Sequence, residues 1–113
     1  MKNIEKRKMY MRDIYAKSWS KKRREYGLHQ YDKDLIKEIC NFAKSGKILE
    51  VAIGDGFPYS SSLDELGYKV YGVDISPIHV NMVCKSLPNI KVVECDAENL
   101  TFEKSFFDIV FCF

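Results

Sequence analysis

The pattern of apolar and polar positions changes near Gly46. Between residues 4 and 26, apolar side chains recur at helical spacing among many basic ones, which predicts an amphipathic helical arm. A second helix is predicted from Asp32, read as its N-cap, to Gly46. We therefore divide the chain into an arm, residues 1–30, and a second unit, residues 31–113.

After Gly46, short apolar runs rich in β-branched residues alternate with helical segments. The predicted strands are Ile48–Ile53, Val70–Val73, Ile90–Val93 and Phe106–Phe113. One helix is expected to run to Gly67 with Pro58 in its first turn, and another to begin at Ser76-Pro77, with the serine as N-cap and the proline as first helical residue. Strands alternating with helices at this spacing predict a three-layer α/β fold with a parallel sheet.

Charge is unevenly distributed along the chain. The net charge is +2, but residues 1–30 hold ten Lys or Arg against three acids, whereas residues 31–113 hold eight against thirteen. The run Lys21-Lys22-Arg23-Arg24 is typical of a solvated helix face, and its alternative role is to bind phosphate. A nucleic-acid partner therefore stays open but is not favoured.

The four cysteines are far apart in sequence and form no C-x-x-C pair. This spacing argues against a zinc site and against a disulfide framework, so we expect reduced, mostly buried thiols and no metal. No segment approaches the roughly 20 apolar residues of a membrane span. We expect a cytoplasmic protein with no membrane partner.

Two glycines and one aspartate suggest a ligand site. Gly54 and Gly56 follow the first strand, where glycine lets the backbone approach a ligand closely. Asp74 ends the next strand, 20 residues after Gly54, where a carboxylate can accept hydrogen bonds from ribose hydroxyls. The three residues together predict a nucleoside site.

The neighbouring residues favour S-adenosylmethionine over a dinucleotide. A dinucleotide site needs a third glycine, but Tyr59 occupies that position. Glu50 places a carboxylate near the glycine turn, which would repel a diphosphate and attract a ligand with ammonium and sulfonium groups. An NAD(P)-binding oxidoreductase fragment remains the less favoured alternative.

Three segments resemble the motifs of class I S-adenosylmethionine-dependent methyltransferases. They are ILEVAIGDG, VYGVDIS and VVECDAENLTFEKSFFDIVFCF, in consistent order and spacing from about Gly46 to the last residue. The resemblance implies a Rossmann-like sheet of order 3-2-1-4, with S-adenosylmethionine as cofactor. It also suggests a small-molecule methyl acceptor, with RNA and protein acceptors left open.

The same resemblance assigns roles to individual residues. It places Gly54 and Gly56 against the methionine and ribose part of the cofactor, Asp74 on the ribose hydroxyls, Ile75 on one face of the adenine, Asp96 on the adenine amino group with Ala97 beside it, and Glu50 under the methionine amino end. The alternative for Asp96 is a cap on the turn into Glu98 and Asn99.

The arm resembles the N-terminal lid found in some members of this family. In Ala16-Lys17-Ser18-Trp19, the tryptophan matches the aromatic residue that closes over the cofactor, with Tyr15 behind it. The alternative is that these aromatic residues are simple core. The two histidines, His29 and His79, are expected to lie on the surface or to pack against a helix, and not to act in catalysis.

The sequence also departs from the family pattern. Ala52 replaces the first glycine of the first motif, and the chain stops at Phe113, near the end of the fourth of about seven family strands. We expect the apolar strand over 106–113 to pair with a second copy, or the chain to be a fragment of a longer protein. No catalytic residue can be assigned, and a truncated, non-catalytic binding or assembly module is the main alternative to an active methyltransferase.

Overall fold

A helical arm precedes a four-stranded parallel sheet. The computed structural model describes residues 2–113, apart from the side chains of Asp13 and Ile14. The elements in chain order are α1 (Asn3–Tyr10), a π-helical turn (Met11–Tyr15), α2 (Ala16–Tyr26), α3 (Gln30–Phe42), β1 (Lys47–Val51), α4 (Tyr59–Glu65), β2 (Lys69–Asp74), α5 (Pro77–Ser86), β3 (Lys91–Glu94), a 3₁₀ turn (Ala97–Asn99) and β4 (Ile109–Phe111).

The sheet has the order β3-β2-β1-β4, and every pair is parallel. Each connection between parallel neighbours passes through a helix or a long loop, as parallel pairing requires. The predicted Rossmann-like α/β sheet of order 3-2-1-4 is therefore confirmed. The carboxyl ends of β1, β2 and β3 meet at one edge, where open α/β sheets bind their ligands.

One apolar core joins the helices to the sheet. Ile48 of β1 and Val70 of β2 are register partners, so both point to the same face. They pack with Ile39 of α3, Leu63 of α4 and Val83 of α5 in one buried cluster. Each such side chain contributes about 1.5–3 kcal/mol through burial, which fixes the helices against the strands.

Two predictions about helix α3 and the cysteines were wrong. Helix α3 begins at Gln30 with His29 as its N-cap, and Asp32 lies in the first turn, where its Oδ2 accepts the His29 N–H at 2.9 Å. The cysteines are free but not mostly buried, since Cys84 and Cys112 are exposed. Both lie on the outer surface, one on α5 and the other after β4, so neither contributes to the apolar core.

Strand β4 is shorter than predicted and lies at a sheet edge. It spans only Ile109–Phe111, bonded to β1 on one side. Val110 is 57% exposed and Phe113 is 58% exposed. Within residues 2–113 no helix is long and apolar enough to cross a membrane.

Candidate functional site

A cavity of about 420 Å³ lies between the arm and the carboxyl ends of the strands. The sheet supplies the turn after β1 and the last residues of β2, and the segment after β3 supplies the remaining wall on this side. Six of the eight predicted site residues line it: Trp19, Gly54, Asp74, Ile75, Asp96 and Ala97. The fold thus brings together, from four separate segments, residues up to 78 positions apart in sequence.

Asp74 organises the centre of this site. Its Oδ2 accepts the Gly54 N–H at 2.8 Å, and its Oδ1 accepts the Ser76 N–H at 2.9 Å. Desolvation opposes the charge, but His79 and these two N–H groups together lower the pKa of Asp74. An ionised carboxylate has about four acceptor positions, and Gly54, Ser76 and His79 occupy three of them, so capacity remains for a ligand hydroxyl group.

Asp96 caps the turn that follows it, which is the alternative role considered from the sequence, and its contact with adenine stays a prediction. Its Oδ1 accepts the Glu98 N–H at 3.0 Å, which caps the 3₁₀ turn. Its Oδ2 accepts a hydrogen bond from Lys8 Nζ of the arm, and Lys8 also reaches Glu98 at 3.1 Å. The Lys8 hydrogen bond is the main cause of the lowered pKa of Asp96. The Asp96 carboxylate therefore lines the cavity and is paired there with the ammonium group of Lys8 from the arm.

The other two predicted residues lie behind the cavity wall. Gly56 has φ +86°, and a Cβ there would stand 2.7 Å from Leu87 Cδ1, so this glycine lets the turn pack on the end of α5. Glu50 is buried, and its Oε1 accepts from Ser60 Oγ at 2.6 Å. Burial raises the pKa of Glu50 to about 8, against the effect of the Ser60 hydrogen bonds.

The buried Glu50 predicts a stability that falls as pH rises. Between its ordinary pKa of 4.5 and about 8, the unfolded chain releases a proton that the folded chain keeps. The free energy of unfolding should therefore drop across this range, by on the order of 4 kcal/mol. In Glu50→Gln, which keeps an acceptor for Ser60, urea unfolding at several pH values should show this drop removed. The exposed Glu38→Gln should behave like wild type, and an unchanged pH dependence in Glu50→Gln would contradict the assignment.

The arm covers the cavity with its one tryptophan. The Trp19 ring lies over Gly54 so closely that a Cβ on this glycine would stand 3.1 Å from Trp19 Cζ3. Gly54 also has φ +62°, a conformation that favours glycine. Tyr15 and Met11 line the cavity beside the tryptophan. The structure places Trp19 against Gly54 at the cavity, and its role toward a cofactor stays a prediction.

Ion pairs anchor the end of the arm next to the glycine turn. Arg23 donates to Asp32 Oδ2 at 2.7 Å, and Arg24 Nε donates to Asp55 Oδ2 at 2.7 Å. Tyr59 donates its hydroxyl to Asp32 Oδ1 at 2.6 Å. The hydrogen bonds that Asp32 accepts from Tyr59, the His29 N–H and Arg23 lower its pKa despite its desolvation. Part of the basic run is thus paired within the protein.

His79 is a site residue that the sequence analysis missed. It is buried, lines the cavity, and places Nδ1 3.5 Å from Asp74 Oδ1. Its Nε2 lies 3.0 Å from the Ala16 carbonyl oxygen and 3.0 Å from Ser20 Oγ, both on α2. A signal was available: the first turn of a helix that follows a strand faces the end of that strand, and His79 is in the first turn after Asp74.

Ala52, which replaces the first glycine of the motif, has a strained backbone. Its φ is +58°, where a non-glycine residue costs about 1–2 kcal/mol. We expect Ala52→Gly to raise the free energy of unfolding by about 0.5–1 kcal/mol, because relief of this strain exceeds the added entropy of the unfolded chain. Urea unfolding measures the change. Ala43→Gly, at φ −142°, is the control and should destabilise, and a similar loss in Ala52→Gly would contradict the strain.

Comparison with known proteins places this geometry in a family. A model of the methyltransferase domain matches residues 48–113. A demethylmenaquinone methyltransferase from Chlorobaculum tepidum is 39% identical over 64 residues, which cover 57% of this chain and 26% of that protein.

Two solved structures share the fold. A TehB-like SAM-dependent methyltransferase from Corynebacterium glutamicum superposes with a TM-score of 0.73 at 22% identity, over 87% of this chain and 54% of that one. SAM-bound CalS10, an amino pentose methyltransferase from Micromonospora echinaspora, gives 0.67 at 19% identity, over 85% and 41%.

The chain belongs to the methyltransferase-domain family, with the fold and motifs of the class I S-adenosylmethionine-dependent enzymes. It spans between about a quarter and about half of the length of these relatives.

Proposed function

We propose that this chain binds S-adenosylmethionine in the cavity between the arm and the sheet and serves a methyltransferase that acts on a small molecule. The observation that carries the proposal is the Asp74 carboxylate, which is fixed by the Gly54 and Ser76 N–H groups and faces the cavity. A nucleoside with a ribose diol fits this arrangement, because the carboxylate keeps acceptor capacity.

Each wall of the cavity has a proposed role toward the cofactor. Asp74 accepts from the ribose hydroxyls, Ile75 covers one adenine face, and Asp96 accepts from the adenine amino group with Ala97 alongside. Gly54, over which the Trp19 ring lies, borders the methionine part, and Gly56 supports the turn from behind. Glu50 adds a titratable carboxyl group beneath the methionine amino end. The fit is supported by the cavity of about 420 Å³, a volume typical of small-ligand sites.

The arm, residues 1–30, serves as a lid in this proposal. Trp19 closes over the cofactor beside Gly54, and Tyr15 lies behind it on the cavity wall. Closing the site excludes water from the reacting groups. Lys8 holds the far end of the lid through its contact with Asp96. The adenine amino group binds the same carboxylate, so it must displace Lys8.

The chemistry needs alignment more than acid–base groups from this chain. When bound, S-adenosylmethionine supplies an electrophilic methyl group that is transferred in line to an acceptor atom. The described residues contribute binding, orientation and exclusion of water, and we assign none of them as a catalytic base. The small-molecule acceptor is supported by two similar proteins, a demethylmenaquinone methyltransferase and an amino pentose methyltransferase.

Two further parts of the proposal concern assembly and location. The exposed side chains of Val110 in β4 and of Phe113 after it favour pairing of segment 106–113 with a second copy or with further strands of a longer chain. Size-exclusion chromatography with light scattering tests this, and a monodisperse monomer at micromolar concentration contradicts pairing between copies. The four free cysteines are typical of the reducing cytoplasm.

Calorimetric titration tests the cofactor. S-adenosylmethionine and S-adenosylhomocysteine should bind, and NADH should bind more weakly than either. Incubation with candidate small-molecule acceptors then tests methyl transfer. Binding without transfer favours a non-catalytic module, tighter binding of NADH favours the oxidoreductase alternative, and no uptake of either sulfur compound at millimolar concentration overturns the proposal.

A further inference from the structure

His79 bridges the arm and the nucleoside site. Its ring lies between Asp74 at the end of β2 and three residues of α2. On the arm side it contacts the Ala16 carbonyl and the Ser20 hydroxyl, and its ring meets that of Trp19 edge-on at a centroid distance of 6.1 Å. One side chain therefore touches both the proposed ribose acid and the helix that carries the lid tryptophan.

The partners of His79 determine its protonation. A carbonyl oxygen only accepts hydrogen bonds, so Nε2 must carry a proton to bond the Ala16 oxygen. The ionised Asp74 carboxylate also only accepts, so an unprotonated Nδ1 would point a lone pair at a negative oxygen 3.5 Å away. Both contacts are favourable together only when both ring nitrogens carry protons. The ring is then an imidazolium paired with Asp74.

We propose that His79, as an imidazolium, is a positioning residue that couples docking of the arm to the binding arrangement of Asp74. This inference rests on the proposed binding of S-adenosylmethionine for its consequence in affinity, while its consequence for the arm does not depend on any ligand. Loss of the ring proton removes either the hydrogen bond to Ala16 or the attraction to Asp74. The arm loosens over Gly54 when that happens, and the site binds nucleoside less tightly.

The electrostatic surroundings agree with this protonation. Among the described side chains, Asp74 acts on His79 directly and Asp55 in the glycine turn acts on it through its charge, while Glu50 on β1 interacts with both of these carboxylates. From α2, His79 meets a carbonyl, a hydroxyl and an indole ring. Burial disfavours the charged ring, but the contact with Asp74 outweighs it and raises the pKa of His79.

Accessibility of the one tryptophan tests the coupling without a ligand. We expect acrylamide to quench Trp19 more strongly as pH rises from about 6 to about 9, because neutral His79 releases the arm. All proteins in this test carry Glu50→Gln, because Glu50 titrates near pH 8, and in His79→Gln quenching should be high and independent of pH. His29→Gln is the matched control, since His29 is the other histidine of the chain, is exposed and lies outside the cavity. A pH response that His79→Gln retains overturns the proposal.

Affinity for S-adenosylhomocysteine provides the second measurement. Because Glu50 also titrates near pH 8, all proteins are compared in a Glu50→Gln background. His79 should make binding about tenfold tighter at pH ~6 than at pH ~9, and His79→Gln should bind about tenfold more weakly and without this pH dependence. Equal affinity and pH dependence with and without His79 overturn the coupling.

The outcomes separate the two proposals. If S-adenosylhomocysteine fails to bind at any pH while the quenching of Trp19 still depends on His79, the proposed function fails and the arm coupling stands. If the ligand binds but neither readout depends on His79, the function stands and the coupling fails. Nitrogen NMR of wild type adds a test that needs no variant: both ring nitrogens of His79 must be protonated at pH ~6, and a single protonated nitrogen there overturns the proposal.

Discussion

Asp74→Ala is expected to weaken binding of S-adenosylhomocysteine at least about 100-fold. The alanine removes the proposed acceptor of the ribose hydroxyls and the acceptor of the Gly54 and Ser76 N–H groups, so the glycine turn also loses its support. Hydrogen bonds to a charged group contribute about 1.5–3 kcal/mol each, and two of them account for this loss. Calorimetric titration at neutral pH measures the effect.

Glu94→Ala is the matched control for Asp74→Ala. Glu94 is the register partner of Asp74 at the end of β3, but it is exposed and lies outside the cavity. Its removal should leave affinity within about twofold of wild type. Circular dichroism of Asp74→Ala establishes that the sheet is intact, and binding within about threefold of wild type by a folded variant would show that Asp74 does not hold the ligand.

Asp32→Ala is expected to reduce the free energy of unfolding by about 3–5 kcal/mol. Asp32 is fully buried and accepts hydrogen bonds from Arg23, Tyr59 and the His29 N–H. Alanine leaves the nearly buried Arg23 guanidinium without its carboxylate, which is the costly way to break a buried pair. Since small domains are stable by about 5–15 kcal/mol, this is a large part of the total.

Asp34→Ala on the same helix is the control for Asp32→Ala. Its carboxylate is exposed and bonds only the exposed Gln30 side chain at 3.0 Å among the contacts described. We expect a change within about 0.5 kcal/mol. Urea unfolding of both variants gives the comparison, and a loss below about 1 kcal/mol in Asp32→Ala would mean that the arm is not anchored through this network.

The contacts of the arm differ in strength from one end to the other. At the far end, Lys8 meets Asp96 and Glu98 where all three side chains are partly or largely exposed. At the near end, Arg23 pairs with an Asp32 that water does not reach. Exposed ion pairs contribute little and are screened by salt, whereas buried ones are costly to break. If the arm opens, it therefore opens from the Lys8 end.

Much of the fold could be predicted because its signals are local. Apolar runs identified all four strands, and Ser76-Pro77 marked the start of α5, where Ser76 Oγ accepts the His79 N–H. The limits of β4 were less well predicted, because the apolar run over 106–113 continues beyond the three residues that pair with β1. The start of α3 was also missed, since His29 and Asp32 are both plausible caps by sequence alone.

Part of the candidate site could also be predicted, because some of its signals are local in the sequence. Gly54 and Asp74 belong to motifs whose spacing shows in the sequence, and the fold places them in contact. Lys8 and Asp55 carry no such signal, because their partners lie 88 and 31 positions away, whereas the signal for His79 was its place five positions after Asp74. Only side-chain packing brings these charges together.

By itself the sequence determined the alternation of strands and helices, the glycine turn and the carboxylate at the end of β2, because periodicity and turn chemistry act over a few neighbouring residues. The tertiary structure alone decided that the arm lies across the cavity, that Glu50 is buried enough to keep its proton, and that His79 stands between Asp74 and Ala16. Burial and pairing of charges depend on which distant segments come into contact, and local sequence patterns do not show these contacts.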